Sequence, residues 1–223
     1  MHTNYPLNPR QWRHQAQAIT PTVQETHVGT IEQDYQEALN ANDLERALLL
    51  EGQIDAEQEA REARLNAPDA LLNAALWYAS TGIAVFPVRP GEKRPLTQHG
   101  FKDATLDADQ IRAWWTATPP ANIGLPTGAL FDVIDVDGQP GYESYAKLRA
   151  GGDVPEIIGR ANTPRGIHVY IRPTGDGNTT SLLPGIDYRG QGGYVLAPPS
   201  RLTNGAVYRW QQPLTLEASQ ETR

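Results

Sequence analysis

The 223-residue sequence has no cysteine and a single methionine. The first absence excludes a disulfide framework and any cysteine-ligated zinc or iron–sulfur site. No run approaches about 18 apolar residues, which excludes a membrane-spanning helix. Residues 1–15 lack the apolar stretch of a signal peptide, so a cytoplasmic location is expected. The phosphate-binding pattern GxxxxGKS/T is missing too, which excludes a P-loop nucleotide hydrolase. Apolar residues still make up 39% of the chain and aromatics 8%, enough to fill a core.

Net charge is absent from most of the chain. The formal charge is −7, and residues 1–69, with five Arg against twelve Asp or Glu, carry all of it. Residues 70–223 hold fourteen basic and fourteen acidic side chains. The average acidity therefore says nothing against a polyanionic partner for the larger part.

Residues 1–28 contain Pro6, Pro9 and Pro21 with no hydrophobic period and read as a flexible lead-in. An acidic helical segment follows over 29–68. Thr30 and Gln33 have the spacing of a capping box, with Tyr35, Ala38 and Leu39 at helical intervals behind them. Asn40 to Asp43 forms a break and a new cap. The long helix that starts at Leu44 counts Leu48 and Ile54 among its few apolar positions. Its Glu- and Arg-rich second half reads as a solvated helix or one that docks on a partner.

From 69 to 213 short apolar runs alternate with Gly and Pro. Three helical stretches interrupt them: ALLNAALWYAS stopped by Gly82, a short helix capped by Asp107 and ending in Trp114 and Trp115, and 141–150. IAVFPV, NIGLPTG, LFDVIDVD, EIIGRA, IHVYIR, YVLAPPS and AVYRW are the expected strands. The prediction is an α+β domain over 69–213 with a tail at 214–223.

The strongest chemical signal is LFDVIDVDG at 130–138. On a strand Asp135 and Asp137 share a face, roughly 7 Å apart at Cα. Such a pair repels unless a cation lies between, and hard oxygen ligands suit Mg²⁺ or Mn²⁺. Asp132 alternates out of phase and is expected to face elsewhere. A strand that simply ends in a polar turn is the plain alternative.

Two further segments add to it. In NTPRGIHVY, His168 opens an apolar strand beside Arg165, where both can hold nucleotide phosphates or where the histidine merely caps a turn. In GIDYRGQGGYVLAPPS, Asp187 and Arg189 share one face of a short strand. They offer a third carboxylate for a two-metal site and a cation for phosphate, or else a surface ion pair on a Gly-rich hairpin. Together the three segments form a constellation for metal-dependent nucleotidyl transfer.

At these residues the sequence resembles the catalytic domain of the bifunctional primase–polymerases, members of the archaeo-eukaryotic primase superfamily often found in phages and plasmids. WYASTGIAVFPVRPGEKRPL, VIDVDG, TPRGIHVY and IDYRGQGGYVLAPPS carry the resemblance over roughly 70–212. It implies an α+β primase–polymerase domain with an RRM-like sheet, here behind an N-terminal α-helical appendage. It also implies template-dependent nucleotidyl transfer, as DNA primase, DNA polymerase or both. The implied substrates are dNTP or NTP, a primer and a single-stranded DNA template, in a phage- or plasmid-encoded enzyme of a bacterial or archaeal cytoplasm.

Residue by residue, Asp135 and Asp137 match the first-motif carboxylates and Asp187 the third-motif one, which bind the catalytic Mg²⁺ or Mn²⁺. His168 matches the histidine that contacts the incoming triphosphate. Arg165 and Arg189 are basic neighbours of those motifs and implied phosphate contacts. Lys93 and Arg94, in GEKRP, are weaker candidates for nucleotide or template. The family often places a small polar residue two before the histidine; here it is Gly166, so its backbone N–H or Arg165 is expected to make that contact. A replicative helicase or another replisome protein is an implied partner, and a membrane is not.

Two other readings stand beside this one. A catalytically weak replication-initiation module would bind DNA and nucleotide, with Trp114, Trp115, Tyr194, Tyr208 and Trp210 as base-stacking or core aromatics. Haloacid-dehalogenase-like phosphatases share DxDG after an apolar strand, using the first Asp as nucleophile. They want Thr where this chain has Gln139, and Gly175-Asp176 matches their acidic motif poorly. The acidic helices either dock a partner or fold back over the basic loop at 89–102.

Overall fold

The computed structural model describes residues 28–216, so the lead-in at 1–27 and the chain end at 217–223 lie outside it. The described residues divide into two compact units, 28–70 and 71–216. The first holds helices α1 (Val28–Asn40) and α2 (Leu44–Asn66). Asp43 caps α2, its Oδ1 accepting the Arg46 N–H at 3.1 Å. α1 already includes Val28 and Gly29, so Thr30 sits inside the helix and not at its cap. The helices pack on each other with Ala38 and Ala47 buried. Leu44 and Leu48, the expected apolar positions, are 62% and 69% exposed instead.

α3 (Ala70–Ser80) lies, from Leu71 on, in the second unit. It ends as expected at Gly82, whose φ of +85° only glycine adopts freely, while the Ile83 N–H reaches back to the Tyr78 carbonyl at 3.0 Å. Asp107 caps α4 (Ala108–Ala117) by accepting the N–H groups of Asp109 and Gln110. α5 spans Gly138–Gly151.

The strands are β1 (Phe86–Val88), β2 (Asn122–Pro126), β3 (Asp132–Asp137), β4 (Ile157–Asn162), β5 (Gly166–Ile171), β6 (Thr179–Leu183), β7 (Ile186–Arg189), β8 (Tyr194–Ala197) and β9 (Arg209–Gln212). They form a three-stranded sheet, β1-β2-β8, and a six-stranded sheet, β6-β7-β3-β5-β4-β9. The pairings between them are antiparallel. Helices with antiparallel sheets match the α+β expectation. The run IAVFPV shortens to β1, with Val85 bridging to Thr105.

Alternation divides the large sheet into two apolar faces. Ile134, Val136, Ile167, Val169, Ile186 and Tyr188 pack with Tyr145 of α5. Val133, Tyr170 and Ala161 point the other way, into a core with Tyr78, Trp115, Ile123, Leu125 and Phe131. That core takes in Leu214 and Leu216, past residue 213, and the Thr215 N–H donates to the Ile158 carbonyl at 2.9 Å. Among the described residues no helix is long and apolar enough to cross a membrane.

Candidate active site

Strand register builds the site. Asp135 on β3 stands opposite His168 on β5 and opposite Asp187 on β7. Directly opposed residues share a sheet face, so the three side chains form one row. Asp137, two residues along β3, shares that face and ends the strand where α5 begins. The strand end is clasped from both sides: the Asp137 N–H donates to the Gly185 carbonyl at 2.8 Å and the Gly138 N–H to the Arg165 carbonyl at 2.9 Å. A Cβ on Gly166 would lie 1.9 Å from the Val136 carbonyl oxygen, so this pairing requires glycine. The Gly166 N–H donates to Thr163 Oγ1 at 3.0 Å and is thus already engaged, whereas the sequence offered it to a phosphate.

Arginines neutralise the carboxylates. Arg189 lies 2.6 Å from Asp187 and 3.7 Å from Asp135, and the Arg165 guanidinium pairs with Asp137. Asp187 also accepts the Ser181 N–H at 2.7 Å. Asp132 faces away, as alternation requires, and its Oδ2 accepts from Tyr188 Oη and from the Thr174 N–H.

Burial shapes the two central groups. It pushes the Asp135 carboxyl above the usual range, partly offset by the charges of Lys93 and Arg189. It holds the His168 ring down to about 3, with Lys93 acting in the same direction and Asp137 against it. The ring is therefore neutral, and its 3.5 Å contact from Nε2 to Asp135 Oδ1 is no ion pair. His168 Nδ1 is buried with no hydrogen-bond partner. A proton on Nε2 is then the tautomer that faces an acceptor.

Asp135, His168 and Arg189 open into a cleft whose other walls are Lys93, Asn178, Gly192, Gly193, Tyr194, Val195, Leu196 and Tyr208. Its volume is about 590 Å³ counted with the open mouth. Tyr194 Oη donates to the Lys93 carbonyl at 2.9 Å and so ties the basic loop to β8. Arg94 is exposed and does not line the cleft. Asp137, Asp187 and Arg165 join the site through ion pairs and not as cleft walls.

Of the aromatics weighed for stacking, Tyr194 and Tyr208 line the cleft, while Trp115 is buried with its Nε1 donating to the Ala121 carbonyl. Trp114 and Trp210 pack against the core. Gly193 belongs to the Gly-rich turn read in the sequence, whereas Asn178 carries no signal there. Asn178 precedes a polar strand with no apolar alternation, so nothing marked it.

Among the described residues no group of three or more Asp, Glu or His side chains converges closely enough to hold a metal ion as it stands. The donor set nevertheless fits a hard divalent cation, with carboxylate oxygens on one face and in register.

A comparison with curated proteins finds no match. The family model of the bifunctional DNA primase/polymerase, N-terminal, matches residues 75–220, about two thirds of the chain and the whole of the row described above. The chain belongs to that family.

Proposed function

We propose that the chain adds nucleotides from a dNTP or NTP to a primer 3′-hydroxyl on a single-stranded DNA template, in phage or plasmid replication. Family membership carries primase/polymerase-type function, DNA and nucleotide substrates and a general dependence on divalent metal. The observation that supports the finer reading is the row Asp187–Asp135–His168, of which Asp135 and His168 line a cleft that also presents Lys93 and Arg189. We read the six-stranded sheet, with α5 on one face, as the primase-like, RRM-like sheet.

Asp135, Asp137 and Asp187 would hold Mg²⁺ or Mn²⁺. The bound ions supply activation of the attacking hydroxyl and charge stabilisation of the leaving pyrophosphate. Arg165 and Arg189, released from their carboxylates, turn to the triphosphate, where a guanidinium fork matches phosphate oxygens. Neutral His168 donates from Nε2 to a phosphate oxygen. Its low pKa means that it brings a hydrogen bond without competing with the metal for the carboxylates. Lys93, exposed at the cleft mouth, adds positive charge at the triphosphate end.

Primer extension on a labelled primer–template with Mg²⁺ or Mn²⁺ tests the reading, with an unprimed template in parallel. Extension establishes polymerase chemistry, and product on the unprimed strand adds primase. No extension under either metal, with nucleotide binding retained, replaces the reading with that of a binding module.

A further inference from the structure

We propose that Arg160 and Arg209 form a second phosphate-binding site, on the sheet face opposite the catalytic row, that holds the backbone of a single-stranded DNA template away from the reacting nucleotide. The identity of the ligand rests on the primase/polymerase reading; the site itself rests on the following observations.

Arg160 is paired opposite Val169, and Arg209 opposite Asn162, which in turn faces Ile167. Val169 and Ile167 belong to the face that packs with α5. Both arginines therefore stand on that face, on β4 and β9 at the margin of the sheet. α5 packs over β3, β5 and β7. Beyond it the face carries Arg160, Asn162, Arg209 and Gln212, two cations and two amides, and neither strand contributes a carboxylate.

Both arginines are half-buried, and the Nε of Arg160 and a terminal nitrogen of Arg209 are buried with no hydrogen-bond partner. Arg165, Arg172 and Arg189 each have a carboxylate. Arg160 and Arg209 have none among the described residues. A guanidinium N–H taken out of water without an acceptor is destabilising, and an anion that draws the side chain outward removes that penalty. Phosphate matches the fork geometry, and two forks on adjacent strands of an open sheet margin suit a repeating polyanion better than a lone ion.

Position favours the template. Arg209 lies in the row Arg209–Asn162–Ile167–Val136, next to the row that holds Gly166 and Asp137. Three strand spacings separate β9 from β3, about 14 Å at 4.8 Å each. At the stacked rise of about 3.4 Å per nucleotide this span corresponds to about four nucleotides from the reacting one.

The test measures binding of fluorescent oligo-dT of about 4 and about 20 nucleotides to the full chain, wild type and Arg160→Gln/Arg209→Gln, across salt. For the long oligonucleotide the variant should bind more weakly, and its log–log salt slope should shrink by about 1.4, the share of two phosphate contacts on a single strand. Binding of the short oligonucleotide should change far less. Long-oligonucleotide affinity and slope equal to wild type would overturn the site.

A second measurement needs no variant. Neutral methylphosphonate linkages placed about four to six nucleotides from the primer terminus should weaken wild-type binding more than the same number placed at the far end. Equal effects at both positions speak against the site. Primer extension by the wild type reports separately on the enzymatic reading. Extension with an unchanged slope in the variant removes the site and keeps the reading, whereas no extension with a reduced slope does the reverse.

Discussion

Arg189 lies 2.6 Å from Asp187 and 3.7 Å from Asp135, so one guanidinium neutralises two carboxylates that face each other across β7 and β3. The same carboxylates are the proposed metal ligands. The arginine thus holds the charge of the metal-free site, and a divalent cation would compete with it for the same oxygens.

Removing that arginine should expose the competition. Arg189→Gln leaves Asp135 and Asp187 opposed without the guanidinium that contacts both, a loss of about 2 kcal/mol for a half-buried pair, or roughly 4–8 °C in Tm. Thermal melting in EDTA should show this drop. Added Mn²⁺ should then raise the variant's Tm by more than it raises that of the wild type. Equal Mn²⁺ responses would mean that Arg189 and the metal do not share these oxygens.

Asp135 should separate activity from stability. The residue is 7% exposed and burial pushes its pKa up, so the charged form is costly to the fold. Asp135→Asn keeps the shape and removes the charge. Extension should fall by about 100- to 1000-fold, the scale of losing a central electrostatic group, while Tm holds or rises. A fall in Tm that accounts for the lost activity would assign Asp135 a structural role instead.

The same residues show what could be read in advance. Alternation within LFDVIDVD was enough to set Asp135 and Asp137 on one face and Asp132 on the other, because side-chain direction along a strand is a local property. That Asp135 would stand opposite His168 and Asp187 was not legible, since register between strands is decided by turn lengths and packing elsewhere. β6, TTSLL, has no apolar period and a residue with φ of +54° at Ser181, so neither the strand nor Asn178 before it left a signal. Leu44 and Leu48 carried a helical hydrophobic spacing, yet α1 and α2 meet where Ala38 and Ala47 are buried. The need for glycine at 166 is tertiary as well: it comes from the Val136 carbonyl on the neighbouring strand.

His168 predicts a pH effect of definite sign. Burial, then Lys93, holds its pKa at about 3, below the ordinary value of about 6.5. As pH falls through 6.5 the unfolded chain takes up a proton that the folded ring refuses. Stability is therefore lost on acidification, by at most about 1.4 kcal/mol per pH unit from this group. Urea melts in EDTA between about pH 6 and pH 5 should show a steeper loss for wild type than for His168→Gln. Asp135 titrates in the opposite sense and lies 3.5 Å from the ring, so both proteins are compared in an Asp135→Asn background, which removes its contribution. Parallel slopes would show that the ring is protonated in the folded state.

Asp132 provides the internal contrast, because it belongs to the same strand and differs only in the face it occupies. It is fully buried, and its Oδ2 accepts from Tyr188 Oη and, at 2.7 Å, from the Thr174 N–H. Thr174 Oγ1 lies 2.6 Å from the same Tyr188 hydroxyl, so the three groups pin the loop after β5 to the start of β3. Tyr188→Phe deletes the hydroxyl with little change in volume and leaves a buried carboxylate oxygen with one donor fewer. The expected cost is about 1–3 kcal/mol in urea denaturation, with extension per folded molecule near wild type. A large loss of extension at unchanged stability would instead place this network in the catalytic site, and the division of β3 into a chemical face and a structural face would fail.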